Sequence, residues 1–190
     1  MFTKISRYLC RISTIPVLFV SFLIFLIFVF FILPDMAQIM DAISSGLGSP
    51  DRLFYYDAET LLAFAKEYGE DGRHAYVRTR ITHDIGWSLV YAGFLCLVIS
   101  YANTISLPRD SRLQQLNLIP LVPLFFDTLE NLIISIVMLS FPETWPLLNR
   151  LAGITTAAKW CMVILSIFAC MCALSYMLLK RMKKSFRNRS

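Results

Sequence analysis

The chain is poor in charge, histidine and glycine. Of its 190 residues only 16% are Asp, Glu, Lys or Arg, two are His and seven are Gly, while 57% are hydrophobic. That balance excludes both a disordered chain and an ordinary soluble domain. The two histidines, His74 and His83, have no cysteine near them, so no zinc-ligand spacing exists and no metal is expected. No G-x-S-x-G, H-E-x-x-H or C-x-x-C string occurs. The common signatures of lipases, metalloproteases and thioredoxin-like redox proteins are therefore missing, and no cofactor is expected. Five cysteines offer no disulfide framework, because Cys96, Cys161, Cys170 and Cys172 sit inside apolar runs and Cys10 just before the first one. The net charge of +5 collects at the chain ends and forms no stripe, which excludes a nucleic-acid partner. Alternating strand patterns and 20- to 50-residue repeats are absent as well.

What is present is four long apolar runs, at about 15–33, 85–107, 116–141 and 152–179. About 19 or more residues at 1.5 Å per residue cross a hydrocarbon core of about 30 Å. The expected fold class is therefore all-α: a four-transmembrane-helix bundle, one integral membrane domain over 1–190, with a small helical extracytoplasmic cap in residues 34–84 between spans one and two. Lys4, Arg7 and Arg11 resemble the basic region of a signal peptide. The apolar stretch after them is too long, however, and Leu33-Pro34-Asp35-Met36-Ala37 lacks a small-x-small cleavage pair, so span one reads as an uncleaved anchor. Basic residues cluster before span one, between spans two and three, and in the tail from Lys180 to Arg189, whereas residues 34–83 hold eight acids against five bases. This asymmetry places both termini in the cytoplasm.

The segment between spans one and two has its own punctuation. Ser44 to Pro50 is a turn cluster, and Asp57 can cap a short helix carrying Leu61, Leu62, Phe64, Ala65 and Tyr68 at helical spacing, which Gly69 ends. Asp71 offers a second cap, and from about Arg73 nothing interrupts the helical pattern until the end of span two. The apolar face of the first helix is expected on the bundle or on the bilayer surface.

The most informative residues are Asp127, Glu130 and Asn131. Their spacing of three and four puts them on one helix face in the middle of span three, where carboxylates must turn inward and find partners. Lys159 in span four lies at a matching depth and can meet Glu130. Span two adds Asp84, Ser88 and Tyr91 at helical spacing, and span four adds Thr155, Thr156, Ser166 and Cys170. The intramembrane polar site is thus expected to comprise Asp127, Glu130, Asn131, Lys159, Asp84 and Tyr91, with Arg73, Arg78 and His83 at a cavity entrance above it. Two readings stay open: polar glue that sets helix register, or a cavity for an ion, lipid head group or small substrate. Pro120 and Pro123 remove two helical hydrogen bonds, which predicts a kink and freed carbonyls at Leu116 and Ile119. Trp87, Trp145 and Trp160 read as interface anchors.

The strings Glu67 to Tyr76, which contain a Y-G-x-x-G-R-x-x-Y pattern, Asp84 before Tyr91, the D-x-x-E-N motif of Asp127, Glu130 and Asn131, and Lys159-Trp160 together resemble a family of uncharacterised bacterial four-span inner-membrane proteins. The likeness covers residues 53 to 160, with Trp87-Ser88 where that family usually has a proline. It implies a similar four-helix layout with an extracytoplasmic helical loop, in the bacterial inner (plasma) membrane, and implies no activity. Three function classes follow from the residues. The first is a protein binding or assembling with a lipid, an ion, a membrane-protein partner or further copies of itself. The others are a membrane-embedded acid–base enzyme acting on a lipid or small substrate, and a small transporter or channel subunit.

Overall fold

An apolar run in lipid can satisfy its backbone only within itself, and these runs do so as helices. The computed structural model describes residues 2–44, 46 and 48–187. The expected turn cluster falls partly on Ser45 and Leu47, and the tail partly on Arg189, which lie outside the described residues. Among the described residues the architecture is all-α, with four helices long and apolar enough to cross a membrane. In chain order the helices are α1 (Phe2–Ile12), α2 (Ile15–Ile43), α3 (Ala58–Glu67), α4 (Gly69–Ser106), α5 (Leu121–Ser140) and α6 (Pro146–Arg187).

Helix α2 is span one, and it does not stop at Leu33. A π turn at Phe28–Ile32 carries it across Pro34 to Ile43, so it rises clear of the apolar stretch and helps wall the cap. None of its most apolar 18-residue window is buried. It leans on α4 through aromatic contacts, Phe25 with Phe94 at 5.1 Å and Phe25 with Trp87 at 5.5 Å between ring centroids.

The cap folds as its punctuation predicts at one end and differs at the other. The Asp57 carboxylate accepts from the Thr60 backbone N–H at 2.8 Å and starts α3. Gly69, at φ +64°, then takes the left-handed turn that separates α3 from α4. Asp71 is not a new cap, because α4 begins at Gly69 itself. From there the helix runs to Ser106, with a π turn at Arg80–Asp84 where it enters the bundle. The apolar face of α3 lies on the bundle: Leu61, Phe64 and Ala65 join Tyr56, Tyr76, Ile134, Val137, Met138 and Ala152 in one buried core.

Two features of the opposite end correct the sequence expectations. The first is that Pro120 and Pro123 do not kink span three. They stand at its first turn, where N–H groups have no helical partner in any case, so α5 starts at Leu121 after a 3-10 segment, Arg112–Leu118. The carbonyls expected to be free are not, since Leu116 O accepts from Ile119 N–H at 3.2 Å and Ile119 O from Val122 N–H at 2.9 Å. The second is α1, which had no place in the four-span reading. Lys4, Arg7, Tyr8 and Arg11 are exposed on it while Ser6 is buried against the bundle. Asn117 Nδ2 donates to Ser6 O at 3.1 Å and to Ser100 Oγ at 2.7 Å, and Ser6 Oγ donates to Gln114 O at 3.2 Å. These bonds close the end of the bundle that carries both termini.

Candidate functional site

Helix α5 brings Asp127, Glu130 and Asn131 to one inward face, all at most 3% exposed. Opposite them Lys159 of α6 places its Nζ 2.5 Å from Glu130 Oε2 and 3.2 Å from Asp127 Oδ1. The remaining oxygens of these acids are held from α6 and α4. Thr156 Oγ1 donates to Glu130 Oε1 at 2.6 Å and touches the Tyr56 hydroxyl at 3.2 Å, and the Ser88 hydroxyl donates to Asp127 Oδ2. On α4, Asp84 Oδ2 accepts from Asn131 Nδ2 at 2.7 Å, while Asp84 Oδ1 lies 3.3 Å from Arg80. Arg80 in turn holds Asp51 and Ser49, which the cap loop lowers onto it. Trp160 Nε1 fastens that loop by donating to Asp51 O at 3.2 Å. One connected polar network thus ties the cap to spans two, three and four.

Outside the spans, burial alone would raise the Asp51 carboxyl. The charges of Arg80 and Lys159, with the Ser49 hydrogen bond, outweigh it and hold that carboxyl below its usual range. The Tyr56 phenol is pushed above its ordinary value by burial and by the Glu130 charge, so it stays a neutral hydrogen-bonding group.

The network forms one end of a cavity of about 510 Å³. Asp51, Arg80, Asp84, Asp127 and Lys159 line its polar end, with Trp87, Tyr91 and Trp160 beside them. The rest is apolar: Phe25, Leu33 and Met36 of α2, Phe94 and Leu95 of α4, Val163 and Ile167 of α6. Val163 and Ile167 stand four and eight residues past Lys159, so this arm runs about 12 Å deeper along α6. Ile167, at the far end of the arm, is 46% exposed, so the arm reaches the outer surface of α6.

The structure brings Asp127, Glu130, Asn131, Lys159 and Asp84 together, and Tyr91 lines the same cavity. The entrance is different from the one expected. Arg73 donates to Ala65 O at 3.0 Å and lies over the Phe141 ring, while Arg78 and His83 point outward and are exposed. Arg80 takes the central position, because it alone of these basic groups shares the inward face with Asp84, four residues on. That i,i+4 pair was legible in the sequence as a signal. Asp51 and Ser49 carried none, since their place depends on how the loop folds back. Trp87 and Trp160 are partly buried and line the cavity, whereas Trp145 is half exposed. Comparison of the chain with protein-family models, with curated proteins and with solved structures found no match.

Proposed function

We propose that this polytopic membrane protein binds an amphiphile from the bilayer, with the polar group at the Arg80–Asp84–Asp127–Lys159 end of the cavity and the chain in the arm beside Phe94, Val163 and Ile167. One observation carries the reading: a single cavity joins a buried charged wall to an apolar arm that reaches the outer surface of α6. The arm offers a water-soluble substrate no polar partner, while an apolar chain arriving from lipid exchanges one apolar surrounding for another at little cost. A purely structural network would need no cavity at all. The same reading has both termini cytoplasmic, the cap outside and the chain in a bacterial inner membrane, in line with the basic-residue asymmetry and the family resemblance. The bilayer is then the source of the ligand.

Native mass spectrometry of the purified protein tests this. Wild-type protein is expected to retain one amphiphile through delipidation, and Val163→Trp, which fills the arm, is expected to release it without loss of folding. Equal retention by both proteins, or none by wild type, overturns the proposal.

A further inference from the structure

Counted with every carboxyl ionised, the charges in the network do not balance. Among the described residues four carboxylates, Asp51, Asp84, Asp127 and Glu130, share two cations, Arg80 and Lys159. The imbalance has a location. Asp51 lines the cavity but is engaged by Arg80, and Glu130, which is not among the lining residues, is engaged by Lys159 and Thr156. Asp84 and Asp127 line the cavity, and their charged contacts are the longer ones, 3.3 and 3.2 Å. Each carboxylate oxygen has two lone-pair sites, so both acids keep acceptor capacity after their protein contacts are made.

A second, independent feature points to the same spot. Tyr91 lines the cavity one helical turn below Ser88, is only 7% exposed, and its hydroxyl makes no hydrogen bond of normal geometry. A buried hydroxyl without a partner costs stability unless something completes it. The Trp87 and Trp160 rings border this region, and Lys159 Nζ already lies 5.5 Å from the Trp160 ring centroid, so the surroundings favour a cation over an anion.

Resting on the amphiphile reading above, we propose that the group recognised at the polar end is a primary ammonium: an amine-bearing amphiphile whose N–H donors reach Asp84, Asp127 and Tyr91. A single –NH3⁺ brings three donors and one positive charge, which matches three acceptors and reduces the excess of negative charge. An anionic head group would face Asp84 and Asp127 with Arg80 and Lys159 already engaged; the other lining cation, Arg52, is 60% exposed and 3.8 Å from Asp41. A neutral head group would leave the charge excess as it is.

Probes with one chain and different heads separate these cases. Dodecylammonium, dodecyltrimethylammonium, dodecanol and dodecanoate are titrated against delipidated protein and bound adducts are counted by native mass spectrometry. Dodecylammonium is expected to bind at least about tenfold more tightly than dodecanol or dodecanoate, a ratio that one charge-assisted hydrogen bond sustains. It should also bind more tightly than the trimethyl compound, which has no N–H. Asp84→Asn should erase most of that preference. Tyr91→Phe, a milder change that keeps the ring, should reduce it with the fold intact by circular dichroism. If the alcohol or the carboxylate binds as tightly as the amine, the ammonium proposal is wrong and the amphiphile reading stands. If dodecyltrimethylammonium matches dodecylammonium, recognition is by charge and aromatic rings alone and the three-acceptor site is wrong. If no probe binds and Val163→Trp changes nothing, both fall.

Discussion

The carbonyl oxygen of Tyr56 rests on the Cα of Gly153 so closely that a Cβ there would stand 1.8 Å from it. The cap loop is pressed onto α6 at the one residue with no side chain to hold it off. This contact sets where Asp51 and Tyr56 meet the network below.

Gly153→Ala is therefore expected to lift the loop and destabilise the fold by about 1–3 kcal/mol, the usual range for overpacking. Gly93→Ala, whose added methyl meets nothing within 4 Å in the interior of α4, should be neutral or slightly stabilising. Thermal unfolding of the two variants in nanodiscs checks the contrast. Similar melting temperatures for both would mean that the loop does not depend on Gly153.

Lys159 is the sole cation within reach of both Asp127 and Glu130 among the described residues. Lys159→Met should cost about 3–5 kcal/mol, because it leaves two buried carboxylates without a counter-charge. Adding Asp127→Asn and Glu130→Gln to it should recover most of that loss. Denaturant titration of the single and triple variants measures the difference, and a triple variant weaker than the single one would contradict the pairing.

The Asp51 carboxyl is held below its usual range in the folded protein. Its contribution to stability is therefore complete above the unfolded value, about 4, and is lost as pH falls through the lower folded value. The stability difference between wild type and Asp51→Asn is expected to be constant from neutral pH down to about pH 4 and to shrink below it. A difference that grows on acidification would show that Asp51 is not paired with Arg80.

Asn117 is fully buried and bonds both Ser6 and Ser100. Asn117→Leu should cost about 1–3 kcal/mol by leaving those groups unpaired, and should release α1. Hydrogen exchange across residues 2–12 is the direct measurement. Unchanged protection there would mean that α1 is held by its apolar contacts alone.

Orientation is open to a simple test in a cysteine-free background. Glu59→Cys, exposed on α3, should react with an impermeant maleimide added to intact cells, and Lys183→Cys near the end of α6 only after permeabilisation. The reverse pattern would invert the topology.

The sequence by itself determined the parts of this protein that depend on local spacing and on the solvent. Run length against bilayer thickness yields four spans. The three-and-four spacing of Asp127, Glu130 and Asn131 puts them on one face, and Asp57 announces the start of α3. Tertiary structure decided everything that required two distant segments to meet. It chose Arg80 over Arg73, Arg78 and His83, because the helix face that turns inward is set by packing and not by charge. It turned Pro120 and Pro123 from a kink into a helix start, because a proline at a first turn and one inside a helix differ only in where the preceding chain goes. It docked α1 through Ser6 and Asn117, residues with no periodic signal. Above all it lowered Asp51 onto Arg80, a contact across 29 positions that local patterns do not encode, since loop direction depends on what the loop lands on.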